Sequence, residues 1–397
     1  MTQVKIKNKF ANKFRNGYPH LFKEAIVDID QLQEEGTIID LVDQHDQFLG
    51  RGYYGRENKG YGWLLTNDKD EKINQSFIIQ KISAALARRS NFFSSQVTTA
   101  FRVFNGEGDG IGGLTIDYYA DYFLMTFYSD GIYQFKEMVV NAIQQLTVCK
   151  AIYEKKRFDA GGKYIDDDDF VTGERANFPI IIKENGIHFA VDLNDGPMTG
   201  LFLDQREVRQ RILEQYAAGK TVLNTFSYTG AFSVYATMGG AEKTVSVDLA
   251  NRSLPKTIEQ FQVNDLDYTK HEIRTMDVFN YFNYAVKNQL TFDLVILDPP
   301  SFARSKKRTF SVAKDYVSLL KDAIAITKEQ GVIVASTNFS GFNIEKFKEK
   351  IAKAFRETDE QYQFVETFQL PEDFRYHPQF KESNYLKVVF IKKLTNG

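Results

Sequence analysis

The stretch F-D-L-V-I-L-D-P-P-S-F, from Phe292 to Phe302, joins an apolar run to an acid, two prolines and an aromatic ring. It predicts a buried strand that stops at Asp298, because Pro299 and Pro300 can continue neither a strand nor a helix. Asp298 and Phe302 would then stand at the carboxyl end of the strand, the edge of an open α/β sheet at which ligands bind. An acid before two prolines, with an aromatic ring close behind, suits the holding of a flat base beside a methyl donor. A proline-terminated loop without such a role is the plain alternative.

The chain around this strand alternates between strand-like and helical segments. The predicted strands run from Thr221 to Thr225, Lys243 to Val247, His271 to Thr275, Phe292 to Leu297 and Gly331 to Ser336. Helical stretches begin at Ala231, Ser253, Val278, Val312 and Ile344. Five such steps predict a doubly wound parallel sheet. Two last strands, near Gln363 to Phe368 and Tyr385 to Lys392, have no helix between them, so the last can enter antiparallel. Seven strands with this ending indicate the class I methyltransferase arrangement rather than a dinucleotide dehydrogenase.

The remainder of the 397 residues predicts two further domains. Short β-like runs broken by glycine predict an all-β module over residues 1–72; they run from Ala25 to Val27, Thr37 to Val42 and Phe48 to Tyr54. A helix from Ser76 to Arg89, with Ser76 as its N-cap, opens a central α+β domain over residues 73–184. The α/β domain then occupies residues 185–397.

Composition narrows the classes of function. A single cysteine, Cys149, excludes an internal disulfide framework, and the five histidines show no metal-ligand spacing, so we expect no metal. No run of eighteen apolar residues occurs, and we expect a soluble cytoplasmic protein without a membrane partner. The net charge of −2 does not by itself indicate nucleic-acid binding, but local basic clusters occur. One of them borders the Asp-Pro-Pro strand and comprises Arg304, Lys306, Lys307 and Arg308.

Candidate cofactor residues follow the first three strands of the predicted sheet. The turn after the first strand exposes backbone donors, Gly230 allows close approach, and the absence of G-x-G-x-x-G disfavours NAD. Asp248 ends the second strand, where an acid can accept both hydroxyls of a ribose. Asp277 follows the third strand and is suited to the exocyclic amine of adenine, although a plain surface acid is an equal reading. The candidate set is Gln205, Asn224, Phe226, Ser227, Tyr228, Thr229, Gly230, Asp248, Leu249, Asp277, Val278, Asp298 and Pro299.

Four motifs carry a family resemblance: T-G-L-F-L-D-Q-R from Thr199, L-N-T-F-S-Y-T-G-A-F from Leu223, V-S-V-D ending at Asp248, and L-D-P-P-S-F around Asp298. They resemble the bacterial class I S-adenosylmethionine-dependent 23S ribosomal RNA methyltransferases, over nearly the whole chain. The resemblance implies S-adenosylmethionine as cofactor, large-subunit ribosomal RNA as partner and a PUA RNA-binding domain at residues 1–72. It leaves a homodimer open. The architecture is most similar to the family that makes 5-methylcytosine.

The atom that receives the methyl group is a separate question. Carbon 5 of cytosine is a poor nucleophile, and enzymes that methylate it first add a cysteine thiolate to carbon 6. In that family the cysteine follows the fifth strand, where this chain has Asn338 after Thr337. The segment after Asp298, together with Thr337 and Asn338, instead resembles the guanine-N7 methylating half of a related bifunctional 23S enzyme.

Guanine N7 has an in-plane lone pair and carries no proton, so its methylation needs alignment and stabilised charge only. We therefore expect Asp298 and Asn338 to hold the guanine edge and Phe302 to stack on an extruded base. Arg304, Lys306, Lys307 and Arg308 would bind flanking phosphates. Methylation of an exocyclic amine is a further alternative, as is a ribosome-binding assembly module without catalysis.

Overall fold

The computed structural model describes residues 2–57, 60–158, 168–304 and 309–395, with the side chain of Arg304 left out. These residues form two compact units. The first comprises Met1–Lys183, Val191–Thr199 and Glu372–Ser383. The second comprises Glu184–Ala190, Gly200–Pro371 and Asn384–Gly397. The division at residues 72 and 184 stays a prediction.

The first unit begins with a five-stranded sheet in the order β1-β3-β4-β5-β2. Its elements are β1 (Thr2–Lys5), α1 (Asn8–Arg15), β2 (His20–Phe22), β3 (Ile38–Val42), β4 (Phe48–Glu57) and β5 (Gly60–Thr66). Helix α1 adds to the expected strands, and it buries Ala11 and Phe14. The strand predicted from Ala25 to Val27 is wrong: a 3-10 turn occupies Lys23–Ala25, and Ile26 forms an isolated bridge with Ile6.

A second five-stranded sheet, in the order β10-β9-β8-β7-β6, follows in the same unit. Its elements are α2 (Gln75–Arg88), α3 (Ser90–Phe93), β6 (Ala100–Asn105), β7 (Leu114–Tyr119), β8 (Tyr122–Phe127), α4 (Asp130–Tyr133), α5 (Lys136–Leu146), β9 (Ala151–Lys156) and β10 (Phe170–Gly173). The predicted N-cap is wrong, because Asn74 rather than Ser76 caps α2 by accepting from the N–H of Phe77 at 3.2 Å. One buried cluster joins Tyr53 and Trp63 of the first sheet to residues of the second, so the two sheets share a core.

Strands β11 (Ile180–Glu184) and β12 (Ile187–Val191) lead into the second unit. That unit contains a seven-stranded sheet in the order β15-β14-β13-β16-β19-β21-β20. Its strands are β13 (Thr221–Thr225), β14 (Lys243–Asp248), β15 (Glu272–Thr275), β16 (Phe292–Leu297), β19 (Thr327–Thr337), β20 (Tyr362–Phe368) and β21 (Lys387–Lys393). A small hairpin, β17 (Phe302–Arg304) with β18 (Thr309–Ser311), follows β16. The last strand, β21, lies antiparallel between β19 and β20, as predicted.

Helices cover both faces of this sheet. They are α6 (Arg206–Arg211), continued by a π-helical turn, α7 (Ala231–Met238), α8 (Ser253–Gln262), α9 (Val278–Lys287), α10 (Val312–Ile326) and α11 (Ile344–Glu357). In β16, Val295 and Leu297 belong to one buried cluster, and Leu294 and Ile296 belong to another. Alternate side chains of a strand point to opposite faces, so a strand buried on both faces needs the unbroken apolar run seen in the sequence.

Candidate active site

The polar residues predicted to form the site follow strands that end at one edge of the seven-stranded sheet. Strands β13, β14, β16 and β19 run parallel, and Thr225 pairs with both Val247 and Leu297. Leu297 in turn pairs with Ala335. Asp248, Asp298 and Asn338 therefore end or follow β14, β16 and β19, three of the four strands that meet at this edge, where open α/β sheets bind ligands.

The turn after β13 adopts an unusual backbone conformation. Phe226, Tyr228 and Gly230 all have positive φ angles, of 53°, 52° and 79°. For residues with a side chain this costs roughly 1–3 kcal/mol each, and such strain concentrates at functional sites. The N–H of Ser227 donates to the carbonyl of Val247 at 3.1 Å, and the hydroxyl of Thr229 donates to the carbonyl of Gly200 at 2.6 Å. These bonds hold the turn in place.

Asp248 supports the same turn with its carboxylate. Oδ2 accepts from the N–H of Tyr228 at 2.9 Å, and Oδ1 accepts from the N–H of Ala250 at 2.8 Å. Each carboxylate oxygen can accept a second hydrogen bond. The group is therefore still able to accept the two hydroxyls of a ribose, while Leu249 beside it is exposed.

Two of the predicted cofactor residues have their side chains committed elsewhere. Asn224 is buried, and its Nδ2 donates to Ser233 Oγ at 3.0 Å. Asp277 caps α9, because its Oδ1 accepts from the N–H groups of Phe279 and Asn280 at 3.1 and 3.2 Å. Val278 is buried in the core. Contacts of these side chains with a cofactor stay predictions.

Asp298 lies in a buried polar network. Burial raises the pKa of its carboxyl from 3.8 to about 6, against hydrogen bonds from Ser336 and Gln205, and the charge of Asp204 raises it further. Gln205 Nε2 donates to Ser336 Oγ at 2.8 Å, and the hydroxyl of Tyr316 donates to the carbonyl of Ser336 at 2.6 Å. The Asp298 carboxyl is thus fixed in place and titrates close to neutrality, as groups at functional sites often do.

The other two predicted catalytic residues lie at the surface of the second unit. The side chain of Phe302 is 62% exposed, and Asn338 is also exposed. The hydroxyl of Ser301 donates to Asn338 Oδ1 at 2.6 Å. An apolar ring exposed at a strand end is available for stacking. Of the predicted phosphate-binding residues, Lys306, Lys307 and Arg308 lie outside the described residues, and only the main chain of Arg304, in β17, is described.

Comparison with known proteins places this geometry in a family. Residues 101–391 match the model of the S-adenosylmethionine-dependent methyltransferases, and residues 4–67 match a PUA-like domain. The chain belongs to the S-adenosylmethionine-dependent methyltransferase family. It is 60% identical, over 99% of its length and 100% of the relative, to the Bacillus subtilis protein named "Putative ribosomal RNA large subunit methyltransferase YwbD". It is 30% identical to Ribosomal RNA large subunit methyltransferase I of Aliivibrio fischeri, over 94% of both chains.

A solved structure resembles this methyltransferase over its whole length. The crystal structure of SMU.776 complexed with SAH has a TM-score of 0.91 and 41% identity, and the match covers 99% of this chain and 100% of that one. The expectations of a PUA-like domain, a class I methyltransferase domain and S-adenosylmethionine as cofactor are confirmed.

The sheet edge of this methyltransferase has features that fit the cofactor. Gln205 is only 3% exposed, yet its Oε1 has no hydrogen-bond partner within the described part of the chain. A buried acceptor of this kind costs roughly 1–3 kcal/mol unless a ligand donates to it. At Gly230 an added Cβ would lie 2.5 Å from Cγ2 of Thr257, so the turn accepts only glycine there. Gln205, Asp248 and the backbone of the turn from Phe226 to Gly230 would hold the cofactor.

Sequence reasoning missed four residues around this site. Ser301 and Ser336 bond Asn338 and Asp298, but a serine in a loop or strand gives no signal of its distant partner. Phe202 is half-exposed and lies 5.4 Å from the ring of Tyr228, where sequence reasoning considered plain packing. Lys387 is buried and donates from Nζ to the carbonyls of Phe339 and Tyr385, at 2.9 and 2.8 Å. Burial lowers the pKa of Lys387 to about 8.

The single thiol of this methyltransferase does not belong to the second unit. Cys149 lies in the first unit and is half-buried. Burial raises the pKa of its thiol, which is the opposite of what activates a nucleophilic cysteine. Within the described ranges there is no group of three or more His, Cys, Asp or Glu side chains that could hold a metal ion. Nor is any described helix long and apolar enough to span a membrane.

Proposed function

We propose that this methyltransferase transfers a methyl group from S-adenosylmethionine to N7 of a guanine in large-subunit ribosomal RNA. The names of two relatives support ribosomal RNA of the large subunit as the substrate. They name no atom. The observation that carries the choice of N7 is the composition of the site: a carboxyl, an amide and an exposed ring stand on neighbouring strand ends, in a unit whose sequence has no cysteine.

Guanine N7 suits such a site because it is already a nucleophile. Its lone pair lies in the plane of the base and needs no deprotonation, so neither a general base nor a thiolate is required. Bound S-adenosylmethionine would supply an electrophilic methyl group. Methylation leaves the purine with a positive charge, which a fixed carboxylate stabilises more strongly in a partly buried site than in water.

Each residue of the site would bind a different part of the base. Asp298, largely ionised above pH 6, would accept hydrogen bonds from N1 and the 2-amino group of guanine. Phe302 would stack on the face of the extruded base, which must leave the RNA helix because the deep major groove hides N7. Asn338 would contact the remaining polar atom of that edge. The basic segment from Arg304 to Arg308 would bind phosphates on either side.

Carbon 5 of cytosine is the second candidate. It is favoured by the 30% identity with Ribosomal RNA large subunit methyltransferase I and by the resemblance to the 5-methylcytosine family. Cytosine C5 requires a thiolate, and the raised pKa of the Cys149 thiol counts against it. A non-catalytic assembly role is a third reading, and it is disfavoured by Gln205 Oε1, a buried acceptor without a partner among the described residues.

The test uses the purified protein, unmodified 23S ribosomal RNA and S-adenosylmethionine that carries a deuterated methyl group. Mass spectrometry of the digested RNA should find the label in 7-methylguanosine. Label in 5-methylcytidine would refute the proposed acceptor, and an absence of label together with a failure to bind the cofactor in calorimetry would refute the enzymatic role. A Cys149→Ser variant is the matched control, because N7 methylation should not depend on it.

A further inference from the structure

One residue of the Asp-Pro-Pro segment is not explained by the function proposed above. Ser301 stands between the second proline and Phe302, and its hydroxyl donates to Asn338 Oδ1 at 2.6 Å. The two residues are 37 positions apart, and they lie beyond the neighbouring strands β16 and β19. This hydrogen bond joins the two loops that carry the candidate catalytic residues.

The bond gives a direction to the side chain of Asn338. A carboxamide has an acceptor end and a donor end, and the two ends lie on opposite sides of the group. Ser301 takes one of the two acceptor positions of Oδ1 and holds that end of the amide against the neighbouring loop, so the Nδ2 hydrogens of the exposed amide are the part offered to a ligand. Asn338 therefore offers donors to a bound base, whereas ionised Asp298 offers acceptors.

That arrangement matches one purine. Guanine has donors at N1 and N2 and an acceptor at O6, which neighbours N7. Adenine has an acceptor at N1, which would face the acceptors of Asp298, and a donor at N6, which would face the donors of Asn338. A site built to hydrogen-bond a substrate rejects an analogue that leaves its polar groups unpaired.

We propose that Ser301 is a positioning residue, an inference that rests on the proposed function. Its hydroxyl orients the Asn338 amide so that Nδ2 donates to O6 of the target guanine. This contact selects guanine over adenine and aligns N7 beside it.

Both ends of the Ser301–Asn338 bond are held by other contacts. The carbonyl of Ser301 accepts from the N–H of Val312 at 3.1 Å. Beyond Asn338, the N–H of Phe339 donates to Thr337 Oγ1 at 3.1 Å, and Lys387 Nζ holds the carbonyl of Phe339 at 2.9 Å. An amide fixed in advance loses little conformational entropy when the base binds, so its hydrogen bond contributes more of its strength to recognition.

The test compares guanine with 6-thioguanine, which keeps N7, the N1–H and the 2-amino group but replaces O6 with sulfur, a much weaker acceptor. Each base is placed at the methylated nucleotide of a 23S RNA fragment, after that nucleotide has been mapped with wild-type protein. Wild type should favour guanine in kcat/KM by roughly tenfold or more, the usual weight of one positioned hydrogen bond. Ser301→Ala should lower kcat/KM for guanine by about that factor and leave 6-thioguanine nearly unchanged.

Two further variants separate positioning from folding. Ser301→Thr keeps a hydroxyl and should restore the preference for guanine, whereas Ser340→Ala, at an exposed serine in the same loop as Asn338, should behave as wild type. Binding of S-adenosylmethionine in calorimetry should be the same in all of them. Equal losses on both RNAs after Ser301→Ala would refute the inference alone, as would no loss on either. A wild-type product methylated at an atom other than N7 would refute the proposed function and the inference with it.

Discussion

Replacement of Asp298 by asparagine should make the methyltransferase more stable and less active. Burial raises the pKa of the Asp298 carboxyl to about 6, above the 3.8 that is usual for an exposed aspartate. The folded protein therefore prefers the neutral form, and the favourable contribution present below pH 3.8 is lost as the pH rises through about 6. Asparagine has nearly the same shape, accepts from Ser336 and cannot ionise.

The size of the effect follows from the two pKa values. At about 1.36 kcal/mol for each pH unit between 3.8 and about 6, ionisation of Asp298 costs roughly 3 kcal/mol above pH 6. At pH 4.5 wild type already bears part of this free-energy cost of ionisation. Because Asp298 is partly exposed, solvent screens the charge and lowers the rest of the cost. We therefore expect the free energy of unfolding of Asp298→Asn, relative to wild type, to rise by about 1–2 kcal/mol between pH 4.5 and pH 8.

Urea titrations of both proteins at several pH values between these limits measure the difference directly. Asp293→Asn is the matched control on the same strand. Burial acts to raise the pKa of Asp293, but hydrogen bonds from Lys328 Nζ and the N–H of Thr221 outweigh it and lower that pKa. This variant should lose stability relative to wild type, and the loss should be nearly constant from pH 4.5 to pH 8, because a carboxyl whose pKa lies below 3.8 is already ionised over this range. A difference for Asp298→Asn that does not change with pH, or that has the sign of the control, would refute the reasoning.

Further predictions concern activity, the cofactor turn and the thiol. In wild type, kcat/KM for RNA should rise as the pH increases through about 6, because the ionised Asp298 carboxylate accepts from guanine; a flat profile would contradict this. Gly230→Ala should weaken binding of S-adenosylmethionine and cost roughly 1–3 kcal/mol of stability, since its φ is +79° and the new Cβ meets Thr257 at 2.5 Å. Gly219→Ala has φ +68° and open space, so calorimetry should find unchanged cofactor binding. Cys149→Ser should leave the rate of methylation intact, and strong loss with normal folding would revive a thiolate mechanism.

Most strands and helices of the second unit could be predicted closely because they have a local signal. The β17–β18 hairpin was not predicted, and β19 begins at Thr327 rather than at Gly331. The apolar run of β16 ends at two prolines, and helices α7 to α11 begin at the predicted residues. Local signals were weaker in the first unit. Helix α1 combines lysine and asparagine with Phe10 and Phe14. Its apolar stripe stabilises the helix only through packing against the sheet, which the local sequence does not indicate.

The position of the site in the fold could be predicted from the sequence, but many of its side-chain contacts could not. Strand ends of a parallel sheet must share an edge, so Asp248, Asp298 and Asn338 could be brought together from the sequence. Which side chain bonds which depends on distant residues: Asn224 is committed to Ser233, and Ser301 reaches Asn338 from 37 positions away. Neither the helical nor the strand periodicity of the sequence indicates such pairs.

The most direct test of the central claim is nucleoside mass spectrometry of 23S ribosomal RNA from a strain that lacks this methyltransferase. The deletion should remove 7-methylguanosine from one position, wild-type protein should restore it, and Asp298→Asn should fail to do so. Loss of 5-methylcytidine with 7-methylguanosine intact would contradict the account.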